Sequence, residues 1–392
     1  MDDSAYNAGV GTHISRRTLL GGAVGLAGCS RKGKGFPGYA FVADQEGRSV
    51  AAVDLTAFAL TKQIRLEGAP NTVIAHPSHP AVYVLTPENG TIHEIEAASL
   101  AVKRRARPAQ AAVSMRLAAD GRSLWVLARD PRALIRVPLD SFRATARIPL
   151  PHDPGGFELD PRPEGHMAGV SFPNENAAAL CDLAANSAAA PLPVGPRPVV
   201  AGFRKDGELF IVGSADRILT MFDVAASKKL VRLPLPLEPA NFCFLPDGGQ
   251  LFVTGPGMDG VVIVLPFSTE VGETILAGRA PGAIATWTPQ DPQPYSYLFV
   301  SNPETADVTV IDIDTRKLVV VLHTGGAPSQ ILFTPDNRYA LVLNNRSGDM
   351  AVVRTAEFTS ERTKWIERYK TGALFTVIPV GGRPVGAAVT RA

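Results

Sequence analysis

The chain has 392 residues, 45% of them hydrophobic, and its 39 Lys and Arg against 37 Asp and Glu leave a formal net charge of only +2. It lacks a run of basic residues interleaved with aromatics. Nucleic acid is therefore not expected as a partner.

In chain order the first feature is SRRTLL at Ser15–Leu20, with the pair Arg16 and Arg17, followed by the apolar stretch LLGGAVGLAG and Cys29. Ten apolar residues cannot cross a hydrocarbon core that needs about 20. The arrangement resembles a twin-arginine export signal, with Leu where that motif most often has Phe and no Lys after it. LAGC, Leu26–Cys29, resembles a bacterial lipobox, in which small residues precede a cysteine that is acylated and becomes the mature N-terminus. These resemblances imply a signal peptide over residues 1–28, a flexible tether over 29–38 and a folded domain over 39–392. Lipid on Cys29 would hold that domain to a membrane outside the cytoplasm, in the periplasm or at the cell surface. The competing readings are an ordinary signal sequence with a coincidental arginine pair, or an unacylated Cys29.

From Phe41 the sequence repeats itself eight times. The first apolar run of each unit is anchored at Phe41, Tyr83, Trp125, Gly169, Phe210, Phe252, Phe299 and Leu341, at intervals of 42, 42, 44, 41, 42, 47 and 42 residues. A second apolar run ends thirteen residues after each anchor, at Asp54, Glu96, Pro138, Asp182, Asp223, Leu265, Asp312 and Arg354. Short apolar runs between turn-forming clusters are a strand signal rather than a helix signal. The seventh unit shows four of them: YLFVSN, DVTVIDI, KLVVVLHT and SQILFTPDN. Gly and Pro, 69 residues together, fall mainly in the connections, where they supply special backbone angles and forbid continued pairing.

A period near 42 with four strands predicts an all-β, eight-bladed β-propeller of four-stranded antiparallel blades. The last strand of each unit should become the innermost strand of the next blade, so VGAAVTR at 385–391 should return to pair with YAFVAD near the N-terminus and close the ring without an exposed edge. The fourth unit, with Gly169 as its anchor and an AANSAAAPLP tail, reads as a worn blade. LFVSN, VTVIDIDTRK, VVVLHTGGAP and ILFTPDN, from Leu298 to Asn337, resemble the YVTN-type propeller repeat. Many propellers of that type have seven blades, which leaves seven as the alternative count. The resemblance extends piecemeal over about nine-tenths of the chain and implies the fold alone.

No GxSxG, HExxH, CxxC or Walker loop is present, so no catalytic residue, metal or cofactor is assigned. His76, His79, His93, His152, His166 and His323 scatter over different units and read as surface or turn residues. Trp125, Trp287 and Trp365 occupy three unrelated repeat positions, unlike the docking tryptophans of quinone-dependent propeller dehydrogenases. Cys181 and Cys243 fall two blades apart, too far for a disulfide, and are expected as buried free thiols.

The loops entering the innermost strands should ring the axis. The residue before the proline in each is Ala69, Arg107, Asp153, Arg197, Glu238, Ala280, Ala327 and Arg383, with His152 and Arg279 one step back. Arginine forks suit carboxylates and phosphates. Arg107, His152, Asp153, Arg197, Glu238, Arg279 and Arg383 are thus the candidate axial mouth for a small anion; alternatively the arginines pair with Asp153 and Glu238, or stay solvated. In the last unit an insertion of about eighteen residues, TAEFTSERTKWIERYKTG, predicts a helix over SERTKWIERYK with Trp365, Ile366 and Tyr369 on one side, a candidate surface for an envelope protein. The sequence is read as a lipid-anchored binding or scaffolding module rather than an enzyme. The alternative is a propeller enzyme or cofactor-handling protein, lactonase-like or haem-type, working at the axial mouth.

Overall fold

Short apolar runs and tight polar turns fold here as they should. The computed structural model describes residues 35–289, 296–359 and 372–392, and within them the strands form eight antiparallel sheets arranged as blades of a ring. Blades are numbered by the repeat whose first strand they hold. Blade 2 runs outward from Thr72–Ala75 through Ala81–Thr86 and Thr91–Glu96 to Ala101–Ala106, and blade 7 from Ile284–Trp287 through Tyr297–Asn302 and Asp307–Asp312 to Lys317–His323. All eight second strands of the repeats end on the residue that the sequence spacing predicts. The seven-blade alternative is excluded.

Blade 1 is built from both ends of the chain. Pro384–Arg391 is its innermost strand and pairs antiparallel with Gly38–Asp44, in a register running from Gly38 opposite Arg391 to Asp44 opposite Pro384. Gln330, on the innermost strand of blade 8, grips the same segment: its side chain accepts from the Ala387 amide at 2.8 Å and donates to the Ala387 carbonyl at 3.5 Å. The ring therefore closes by main-chain pairing, as the strand count predicts.

The recurring residues of the repeat have separate tasks. The aspartate ending the second strand accepts amides of the next turn: Asp312 takes those of Asp314 and Thr315, both at 2.9 Å. Asp54, Asp182 and Asp223 do likewise. In blades 7 and 8 the first strand of the repeat ends on a fully buried asparagine. Asn302 donates to Asp307 at 2.6 Å and Thr309 at 2.8 Å; Asn344 donates to Asp349 at 2.7 Å and to the Thr324 carbonyl at 2.9 Å. A methyl group on Gly278 or Gly325, in the loops that enter blades 7 and 8, would collide with these asparagine side chains. The asparagine and the glycine are two halves of one contact, which locks these two entering loops to their blades.

Neighbouring blades pack face to face through first- and second-strand residues. Phe41, Phe210, Phe252 and Phe299 are at most 1% exposed. In the worn blade 4, Gly169 leaves a hollow filled by the ring of Phe210 from blade 5, and the outer strand is broken into Ser187–Ala188 and Leu192–Pro193. Cys181 and Cys243 are free, as expected. Cys181 is buried, and desolvation pushes its thiol up to about 12; Cys243 is only half-buried, a correction to the expected burial. His93, fully buried, and His76, 8% exposed, are not the surface residues the sequence suggests.

The insertion of blade 8 begins with a short helix, Ala356–Thr359. Phe358 is 7% exposed and packs its ring 5.6 Å from that of Phe299. Trp365, Ile366 and Tyr369 lie outside the described residues, as do Arg16, Arg17 and Cys29. No helix of the described residues is long and apolar enough to cross a membrane.

Candidate functional site

The loops entering the innermost strands lie at one end of the ring, since each precedes a strand that starts there. Several are tightly turned: Arg197, Ala280 and Ala327, each just before a proline, have φ of 46°, 51° and 56°, in the left-handed region where side chains are costly. That backbone throws the Arg197 side chain outward, 72% exposed, with its Nη2 3.6 Å from Glu238 Oε1 of the next blade's loop.

The other candidates find different partners. Arg279 Nε lies 3.2 Å from Glu304 Oε2, Asp153 Oδ1 3.8 Å from Arg132 Nε, and His152 Nδ1 3.7 Å from Glu175 Oε1. Self-pairing of the mouth residues thus holds for Arg197 with Glu238, while Asp153 takes an arginine from a neighbouring turn. Arg107 donates from Nε to the Asn89 carbonyl at 2.9 Å and lines a side groove with Arg147. The exposed Arg383 side chain has no acidic partner among the described residues. Its backbone amide donates to Asp44 at 3.0 Å, which fixes the loop. The mouth is a collar of alternating charges in which Arg383 keeps an unneutralised guanidinium.

Deeper in, the innermost strands of blades 3 and 4, Ala111–Leu117 and Gly156–Leu159, carry a feature the sequence reading missed. Arg116 forks onto Glu158, with Nε 3.1 and 3.0 Å from the two carboxylate oxygens and Nη2 2.5 Å from Oε1. Burial opposes the charge on Arg116, yet the bonded carboxylate prevails and raises its pKa above the ordinary value. A charged residue inside an apolar strand, SMRL or GFEL, was the available signal. The pairing needs the blade order to become visible. Among the described residues no cluster of three or more His, Cys, Asp or Glu could hold a metal ion.

These features define a closed, eight-bladed β-propeller with a charged collar at one end of its axis. No protein-family model matches the chain. It is similar to the seven-bladed beta-propeller protein Rv1057 of Mycobacterium tuberculosis, with 28% identity over 174 residues, which is 44% of this chain and 40% of that protein. The match thus spans less than half of that relative. Among solved structures it is similar to dihydro-heme d1 dehydrogenase NirN, in complex with DHE, with a TM-score of 0.70 and 15% identity over 90% of this chain and 75% of the other. Hydrazine synthase of Kuenenia stuttgartiensis gives 0.57 and 17% identity over 73% and 96%. These structural likenesses show the propeller fold, which hosts unrelated functions.

Proposed function

We propose that the protein is an exported, lipid-anchored binding module that takes a small anion, or an acidic group of an envelope partner, at its axial collar. The observation that carries this reading is Arg383: an exposed guanidinium on a loop fixed through its backbone by Asp44, with no ion-pair partner among the described residues, while Arg197 and Arg279 each face a glutamate. A rigid ring that holds charged loops at fixed positions suits recognition. The export and anchoring part rests on Arg16, Arg17 and the Leu26–Cys29 segment, and Cys29→Ser should move the protein from the membrane to the soluble fraction.

A thermal-shift screen with sugar acids, dicarboxylates, phosphates and lactones tests the collar. An anion that stabilises the wild type should stabilise Arg383→Ala less, by about the 1.5–3 kcal/mol of a charge-assisted hydrogen bond in binding energy. Lysine at 383 should restore part of this, and salt should weaken it. Equal shifts in wild type and variant would reject the collar as the site. A second reading, a cofactor-handling protein working at the same mouth, is supported at the level of fold by the likeness to NirN. An absorption spectrum of protein purified from its native compartment tests it.

A further inference from the structure

The near-neutral total conceals a strong charge asymmetry. Residues 101–150 hold eleven of the 39 Lys and Arg but three of the 37 Asp and Glu, so this segment carries +8 and the rest of the chain −6. Ten of the eleven are arginines. The segment supplies the outer strand of blade 2, Ala101–Ala106, and all four strands of blade 3, including its outer strand Ala146–Pro149.

Folding gathers these charges along the seam between the two blades. A groove of about 590 Å³ is walled by Arg104, Arg105 and Arg107 on one side and by Arg143 and Arg147 on the other, with no acidic residue in its lining. Through Arg107 and Arg147 it continues into a second space of about 670 Å³, whose lining has a single acid, Asp130. Arg104 is structural. It binds Glu94, donates to the carbonyls of Leu139 at 2.5 Å and Asp140 at 3.1 Å, and stacks 4.4 Å above the buried Phe142 ring, so blade 3's turn is pinned to blade 2. Arg105 has a distant partner, Glu67 at 3.9 Å. Arg143 and Arg147 are exposed and have no acidic partner among the described residues.

A scatter of edge-strand charges that discourages aggregation would be the plain explanation. Other outer strands do carry such charges, as Lys228, Lys229 and Arg232 in blade 5, the last paired with Asp216, or Glu270 and Glu273 in blade 6. The blade 2–3 seam differs in having arginines on both walls of one groove.

We propose that this seam is a docking groove for an extended acidic segment of a partner protein. Concavity favours a chain over a flat lipid surface, which would meet the groove's rims and leave its interior empty. Phe142, the aromatic residue of the lining, is 4% exposed, so bases would find no stacking platform of the kind single-stranded nucleic acids use. The outer edge of Ala101–Ala106 pairs on one side only among the described residues, and its free backbone groups can bond a peptide main chain. Carboxylates along that peptide meet the guanidinium forks of Arg143 and Arg147.

The experiment measures fluorescence anisotropy of a labelled, alternating Glu–Thr peptide with the full-length protein. The double variant R143E/R147E should bind at least about tenfold more weakly, with binding in the wild type falling as salt rises. Both residues are exposed, and an unchanged melting temperature verifies that the variant is folded. The double variant K228E/K229E, on another blade, should bind like wild type, whereas a loss in R383A as large as that in R143E/R147E would move the peptide to the axial collar and overturn the groove. Hydrogen exchange should slow in Ala101–Ala106 when peptide is present. Absent peptide binding, equal affinity for R143E/R147E, or tighter arginine-dependent binding of a single-stranded oligonucleotide or of phosphatidylglycerol vesicles would overturn the proposal.

Discussion

Closure of the ring by its two ends makes a quantitative prediction. Deleting residues 385–392 removes the innermost strand of blade 1 and its ladder to Gly38–Asp44. Six or so net backbone hydrogen bonds at about 1 kcal/mol each are lost. The burial of Val385, Ala387, Ala388 and Val389 against the cores of blades 1, 2 and 8 adds about 3–5 kcal/mol, since partly buried valines are worth less than the full side-chain value. The total, about 9–11 kcal/mol, is comparable with the whole stability of a typical domain. The truncated chain should therefore unfold or aggregate at room temperature, read by circular dichroism and light scattering. A synthetic peptide of residues 384–392 added in trans should restore a cooperative melt, an outcome that general fragility would not produce. A truncated chain melting within a few degrees of the full one would refute closure as the source of stability.

Two further outcomes follow from buried polar groups. Asn302→Ala should cost about 2–4 kcal/mol in denaturant unfolding, because Asp307 and Thr309 lose a donor at a buried site; Asn302→Asp should cost more by placing a second carboxylate beside Asp307. His93 is held neutral, with its pKa lowered to about 4 by desolvation and then by Arg105. Below its ordinary value of 6.5 the unfolded chain takes up a proton that the folded one refuses, so its contribution is complete above pH 6.5 and is lost progressively as pH falls toward 4. That is up to roughly 3 kcal/mol. His93→Gln should flatten this part of the pH dependence, and an identical acid sensitivity in the variant would show that other groups are responsible.

The blade count, the strand ends and the closure were legible because they depend on spacing alone: a short strand buried on both faces between blades, and a turn on a fixed aspartate or glycine, repeat in register. Partners across blades were less legible. The sequence identifies Arg279 and Asp153 as loop residues, but Glu304 and Arg132 meet them through turns of the same or a neighbouring blade, a geometry set by the angle between sheets. His93 looks like any polar residue in a second strand. Its burial follows from Thr86 Oγ1, 3.3 Å from Nε2, and from Arg105, whose Nε donates to Nδ1 at 3.3 Å, and neither bond has a sequence signature. The glycine at 169 signalled a defect in the repeat, but not that a phenylalanine of the following blade would occupy the gap.

The register of blade 1 also sets a direction. Gly38 stands opposite Arg391, whereas Asp44, at the other end of the same strand, stands opposite Pro384 and holds the Arg383 loop. The main chain thus enters the ring on the side away from the collar, where Arg338 of blade 8 bonds the Gly35 carbonyl at 3.2 Å. The last residue, Ala392, returns to the same side, with its amide 3.4 Å from the Pro37 carbonyl. Anything that pulls on or restrains the chain upstream of Gly35 acts on that underside, so a surface holding the protein there would leave the collar pointing into open solution. Because entry and exit are neighbours, a short linker could also join them and a new start be cut in any outer turn, with the order of the blades unchanged.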